Sequence, residues 1–95
     1  MSQPTIDDVL RGVKAEFLKS IQKHDDWSTY SLDKMISHTM DEVVECLNAH
    51  HIGDVMGQHG VLVEGTQAAA CFCKMLLQIA IRGQASTVTT QGVRV

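Results

Sequence analysis

Val61-Leu-Val-Glu64-Gly-Thr-Gln67-Ala-Ala-Ala-Cys71-Phe-Cys-Lys74-Met-Leu-Leu-Gln78-Ile-Ala-Ile81-Arg82 is the stretch whose reading decides the fold. From Ala68 to Ile81 only Lys74 and Gln78 are strongly polar, so apolar side chains cover most of the circumference of a helix formed here. A helix that is apolar nearly all round is a buried one. Neighbouring helices from the same short chain cannot enclose it, which predicts an oligomer. Its polar residues, Glu64, Gln67, Lys74 and Gln78, with Cys71 in the gap, recur at steps of three and four and form one narrow stripe. Such a stripe reads either as a solvated face or as a polar groove inside a bundle.

Working outward, the same periodicity predicts two earlier helices. Ile6, Val9, Leu10, Val13, Phe17, Leu18 and Ile21 mark a first helix, capped by Thr5 or Asp7 and fading near Lys23 and His24. Asp25 to Thr29 is a polar connector holding Trp27. Ser31 is an N-cap with Asp33 in the first turn, opening a second helix to about Ala49. Leu32, Ile36, Met40, Val43 and Leu47 form its apolar face. The segment from His50 to Gly60 contains Gly53, Gly57 and Gly60 and reads as a connection with a short helical turn near Asp54 to Gln58. Gly83 is placed as the residue that ends the third helix. The expectation is an all-α bundle of three main helices per chain, residues 1–83, completed by oligomerisation. Residues 84–95 read as a polar, flexible tail or an edge strand.

At 95 residues the chain makes one domain. Aromatics are only 4% of the sequence, so the core rests on Leu, Ile, Val, Met and Ala, which favours helices over sheets. Eight basic and eleven acidic side chains leave a net charge of −3. Without a basic block to follow a phosphate backbone, polymeric DNA or RNA is not an expected partner. Cys46, Cys71 and Cys73 are odd in number and lack a paired spacing, which points to reduced thiols rather than a disulfide framework or zinc site. The N-terminus lacks the features of a signal peptide. The longest apolar run is too short to span a bilayer. A cytoplasmic protein without a membrane partner is therefore expected.

Two pairs of oxygen-bearing side chains carry the candidate chemistry: Glu42-Val-Val-Glu45 and Glu64-Gly-Thr-Gln67. Residues three apart on a helix lie one turn apart on the same side, so each pair can aim two oxygens at one point. Two such helices side by side make a carboxylate cage suited to a hard cation such as Mg²⁺. The competing reading is a set of solvated glutamates. Against it, Asp41 adds a third acid beside Glu42 and Glu45, yet no Lys or Arg follows at helical spacing to pair with them.

Trp27, Asp41-Glu42-Val43-Val44-Glu45 and Glu64-Gly-Thr-Gln67-Ala-Ala-Ala resemble, in order and spacing, the MazG-like group of all-α nucleotide pyrophosphohydrolases, in particular its short phage and mobile-element members. That family pairs an E-x-x-E helix with a later E-x-x-D helix. The resemblance covers about Phe17 to Ile81. It implies an all-α bundle working as a homodimer or homotetramer, bound Mg²⁺ (or Mn²⁺ in its place), and hydrolysis of a nucleoside triphosphate to monophosphate and pyrophosphate. Glu42, Glu45 and Glu64 match the family's metal-binding and catalytic carboxylates. Gln67 stands where the fourth acid is usually aspartate. It keeps an oxygen ligand but brings no charge, which leaves open a non-catalytic binding or assembly module as the alternative.

Lys74, about two turns beyond Gln67 on the same stripe, is a candidate phosphate contact or a snorkelling surface lysine. Trp27 is a candidate platform for a base or a plug that closes the core. A second register, His51-Ile-Gly-Asp54, also resembles the family's E-L-G-D segment. It ranks lower because five residues after Glu45 are too few for an antiparallel turn. His38, one turn before Glu42, reads as a surface histidine.

Overall fold

A computed structural model describes residues 2–86. The described residues form three helices: α1 (Ile6–Lys23), α2 (Leu32–His51) and α3 (Val61–Ser86). Among the described residues there is no strand. Both α1 and α2 pack against α3, which is the central element.

Local chemistry fixes the helix starts. Thr5 caps α1 through a reciprocal box: its hydroxyl accepts from the Asp8 amide at 3.3 Å, and its own amide donates to Asp8 Oδ2 at 2.8 Å. Ser31 caps α2 by accepting from the Lys34 amide at 3.1 Å. The α2–α3 connection folds around Asp54, whose Oδ1 accepts from the Gly57 amide at 2.9 Å and whose carbonyl accepts from the Val61 amide at 2.9 Å. Gly60 is required there, because a Cβ would lie 2.7 Å from the Val55 carbonyl oxygen.

Two boundaries differ from the sequence expectation. α3 continues through Gly83 to Ser86, so Gly83 is a helical residue rather than the stop. One glycine costs a helix only about 1 kcal/mol, which its neighbours absorb. Likewise α2 extends past Ala49 to His51. The proposed tail conformation concerns residues that lie, from Thr87 onward, outside the described ones.

The larger correction concerns which face of α2 turns inward. Of the expected core face, Leu32, Ile36, Met40 and Leu47 are exposed, and Val43 is half-buried. The inward positions are Met35, Thr39 and Ala49, buried, with Glu42 and Cys46 partly buried between them. Their steps of four, three, four and three trace one helical face, and it is a mixed one. The α3 stripe is inward as well: Glu64 is 5% exposed, Lys74 2% and Gln78 5%. Within the chain, therefore, the polar faces of α2 and α3 meet, while Leu62, Phe72, Leu76 and Leu77 of α3 remain exposed. Exposed polar residues on a chain's outer face are ordinary; an exposed apolar face of this extent is not.

Candidate metal and nucleotide site

Glu42 and Glu45 sit on successive turns of α2, and Glu64 sits in the first turn of α3. The two helices bring one carboxylate oxygen from each of the three within 4.8 Å of one another. His59 Nδ1 approaches Glu64 Oε2 at 3.4 Å from a largely exposed side chain; among the described residues no Lys or Arg forms an ion pair with Glu42, Glu45 or Glu64. Glu42 Oε1 and Glu64 Oε1 are buried and have no hydrogen-bond partner. A buried acceptor without a donor costs on the order of 1–3 kcal/mol, more when charged.

The electrostatics follow from this crowding. Burial, then the neighbouring charges of Glu45 and Glu64, push the Glu42 carboxyl above its usual range. Glu45 is raised as well, chiefly by its hydrogen-bonding approach to Glu64 and then by burial. Ionised carboxylates are acceptors only, so three of them can satisfy one another only by holding a proton or a cation. Their hard oxygen donors suit Mg²⁺ or Mn²⁺. The two orphaned oxygens belong to two of the three residues that could hold such an ion.

Beside this group lies an open cavity of about 430 Å³. Glu42, Gln67 and Cys71 line one part of it, and Trp27, Tyr30 and His38 another. Gln67 thus lines the same cavity as Glu42. Burial lifts the Cys71 thiol to about 11, so it stays protonated and unreactive. Trp27, Tyr30 and His38 form a ring stack, with centroids 5.7 Å apart for Trp27–Tyr30 and 5.5 Å for Tyr30–His38.

Trp27 is 5% exposed and belongs to the core cluster with Met35 and Met75, while still lining the cavity. Its backbone takes a left-handed φ of 66°, unfavourable for a non-glycine residue by about 1–2 kcal/mol. Four polar groups hold it there. Asp25 Oδ1 accepts from the Trp27 amide at 3.0 Å. Lys74 Nζ donates to the Asp25 carbonyl at 3.0 Å, Gln78 Nε2 to the Asp26 carbonyl at 3.1 Å, and Arg82 to the Tyr30 carbonyl at 2.6 Å. Lys74 also lies 4.6 Å from the Trp27 ring centroid, a cation–π contact. Desolvation lowers its pKa. Lys74 therefore lines the cavity with its ammonium already engaged by the connector.

The second register does not gather. Asp54 is committed to the connection it folds, and His51 is exposed at the end of α2. The sequence reading missed the contribution of α1: Glu16, Lys19, Ser20, Lys23 and His24 also line the cavity. The signal was present in Val13, Glu16, Phe17 and Ser20, which share the inward face of α1 at helical spacing. Glu16 and Ser20 are half-buried polar residues on that face, a milder form of the anomaly that marks α3.

No protein-family model, no curated protein and no solved structure matches this chain. No helix among the described residues is long and apolar enough to cross a membrane.

Proposed function

We propose that the chain is a Mg²⁺-dependent nucleoside triphosphate pyrophosphohydrolase of the MazG-like kind, working as a homodimer or homotetramer. The observation that carries this reading is the convergence of Glu42, Glu45 and Glu64 with two buried carboxylate oxygens left without partners. Oxygen donors, crowded carboxylates and an adjoining cavity are what a metal-bound polyphosphate needs. Glu42, Glu45 and Glu64, together with the Gln67 amide oxygen, would hold Mg²⁺, which would supply charge neutralisation of the phosphates and acidification of a water.

The chain's own residues have distinct tasks in the reaction. Water attacks the α-phosphorus, the bond from that phosphorus to the α–β bridging oxygen breaks, and pyrophosphate leaves. The raised Glu45 carboxylate, exposed toward solvent, accepts the water's proton. Lys19 and Lys23, on the α1 side of the cavity, offset phosphate charge, a role that the engaged Lys74 fills less directly. The base lies against the Trp27–Tyr30–His38 stack.

Oligomerisation follows from the exposed apolar faces of α2 and α3, which a second copy covers. A panel of nucleoside triphosphates with Mg²⁺, monitored for pyrophosphate release, tests the activity. Light scattering at micromolar concentration tests the assembly, and a well-folded monomer contradicts it. Gln67, which withholds a charge where the family has aspartate, favours the second reading: a non-catalytic binding module of the same bundle. Metal binding without pyrophosphate release from any triphosphate selects it.

A further inference from the structure

The side of α3 that turns away from the polar stripe is an apolar row. Leu62, Cys73, Leu76 and Ala80 are exposed, and Thr66 and Ala69 between them are half-buried. Steps of four and three alternate along this row, the spacing of a helix that meets a second helix along one seam. At about 100° per residue, its centre lies opposite Glu64, Cys71 and Gln78. Thr66 adds no polar demand, because its hydroxyl donates to the Leu62 carbonyl at 2.7 Å.

Area, charge and size together say what covers it. Leu62, Phe72, Leu76, Leu77, Ile79 and Ile81, on the row and its flanks, are each at least 42% exposed. At roughly 200 Å² per large side chain they present about 600 Å², most of the roughly 800 Å² that each partner gives to a stable complex. From Val61 to Gln84 the exposed surface of α3 carries no charge: Glu64 and Lys74 are buried, and the half-buried Arg82 donates to the Tyr30 carbonyl. Such a surface faces its own copy without repulsion. The outward side of α2 intersperses Asp33 and Asp41 with Met40, Val44 and Leu47, and self-pairing there brings like charges together. Size then sets the orientation. Antiparallel pairing about the middle of the row places Leu62 on Ala80, Thr66 on Leu76 and Ala69 on Cys73, so each leucine meets a smaller residue. A parallel pair stacks Leu on Leu and Ala on Ala, which leaves voids.

We infer that the outward row of α3 is the surface on which two copies of this chain join, α3 antiparallel to α3 of the second copy, with Ala69 of each facing Cys73 of the other. The inference rests on the homo-oligomer of the proposed function and gives it a face, an orientation and a register. It does not depend on the metal site, whose carboxylates lie on the opposite side of α3.

The test is disulfide trapping in the full chain, joined to sedimentation equilibrium. Ala69→Cys sets a thiol opposite Cys73 of the second copy, and mild oxidation is expected to give about tenfold more covalent dimer than wild type. Adding Cys73→Ser to Ala69→Cys should abolish the trapped dimer. A wild type that traps through Cys73 as readily as Ala69→Cys overturns the register, since Cys73 then faces its own copy. In sedimentation, Thr66→Leu opposes two leucines and is expected to weaken the dimer about tenfold. Adding Leu76→Thr restores a large–small match and should return the affinity to within about threefold of wild type. A wild-type oligomer that Thr66→Leu leaves unchanged, with no trapping in Ala69→Cys, overturns this face and leaves the oligomer to form elsewhere. A folded, monomeric wild type removes both the inference and the assembly beneath it.

Discussion

The two ends of the α3 stripe are built from the same helical spacing and have opposite fates. Toward the C-terminus, Lys74, Gln78 and Arg82 donate to carbonyls of Asp25, Asp26 and Tyr30, and each donor finds an acceptor inside the chain. Toward the N-terminus, Glu64 meets Glu42 and Glu45, acceptors facing acceptors, and two oxygens are left over. Burial is alike: Lys74 and Glu64 are 2% and 5% exposed. Complementarity is what differs. A buried polar group with an internal partner is part of the scaffold, and one without is a place for something the chain does not contain.

That contrast can be broken by substitution, and the largest effect belongs to the satisfied end. Trp27→Ala removes the aromatic that packs with Met35 and Met75 and carries the Lys74 contact, and should cost about 3–5 kcal/mol in denaturant unfolding. Lys74→Met keeps the length but leaves the Asp25 carbonyl without its donor, so a loss of about 1–3 kcal/mol is expected. Mn²⁺ affinity of the folded Lys74→Met protein should stay within about twofold of wild type, as the ammonium is not a ligand. If affinity collapses with it, the two ends are one site and the contrast fails.

At the unsatisfied end the sign inverts. Glu64→Gln replaces an acceptor by an amide that can donate to Glu45, so in chelator it should be neutral or stabilising by up to about 1 kcal/mol. The same change should abolish the upward melting shift expected of the wild type in Mg²⁺. Thermal melts with Mg²⁺ and with chelator read both halves, and a large loss in chelator would place Glu64 with the scaffold.

The smallest effect is the pH dependence. Glu42 and Glu45 are raised above an ordinary 4.5, so the folded chain holds their protons longer than the unfolded one. Their stabilising contribution is complete below 4.5 and is lost as pH rises through the folded values. Asp8 and Asp26, lowered from 3.8 by hydrogen bonds to Thr5 and Ser28, act oppositely and only on further acidification. Metal-free melts between mildly acidic and neutral pH should therefore fall as pH rises, and saturating Mg²⁺ should flatten the slope. An identical slope with and without the ion would detach these glutamates from metal binding.

Helix count, the Ser31 cap and the all-helical class were legible because they depend on local patterns: apolar periodicity, capping hydroxyls and glycines in the connection. The facing of α2 was not legible. Leu32, Ile36, Met40 and Leu47 outnumber the inward Met35 and Ala49 in apolar content, and one sequence does not say whether an apolar stripe meets its own chain or another surface. The pairing of Glu42 and Glu45 with Glu64 could be read from spacing, since it needs only two helices side by side. Lys74 was harder: its position on the stripe was right for the cavity, but its engagement with Asp25 spans 49 residues of sequence and depends on the left-handed turn at Trp27. The inward face of Glu16 was legible in the spacing it shares with Val13, Phe17 and Ser20, but its place at the cavity depends on how α1 packs on α3.

The central claim is that Glu42, Glu45 and Glu64 form a divalent-cation site, and direct calorimetric titration of Mn²⁺ into the wild-type chain and into Glu64→Gln at neutral pH tests it most directly. The account predicts a saturable site in the wild type and at least a tenfold weaker site in Glu64→Gln. Equal heats for the two proteins, or no saturable binding in the wild type, would contradict it.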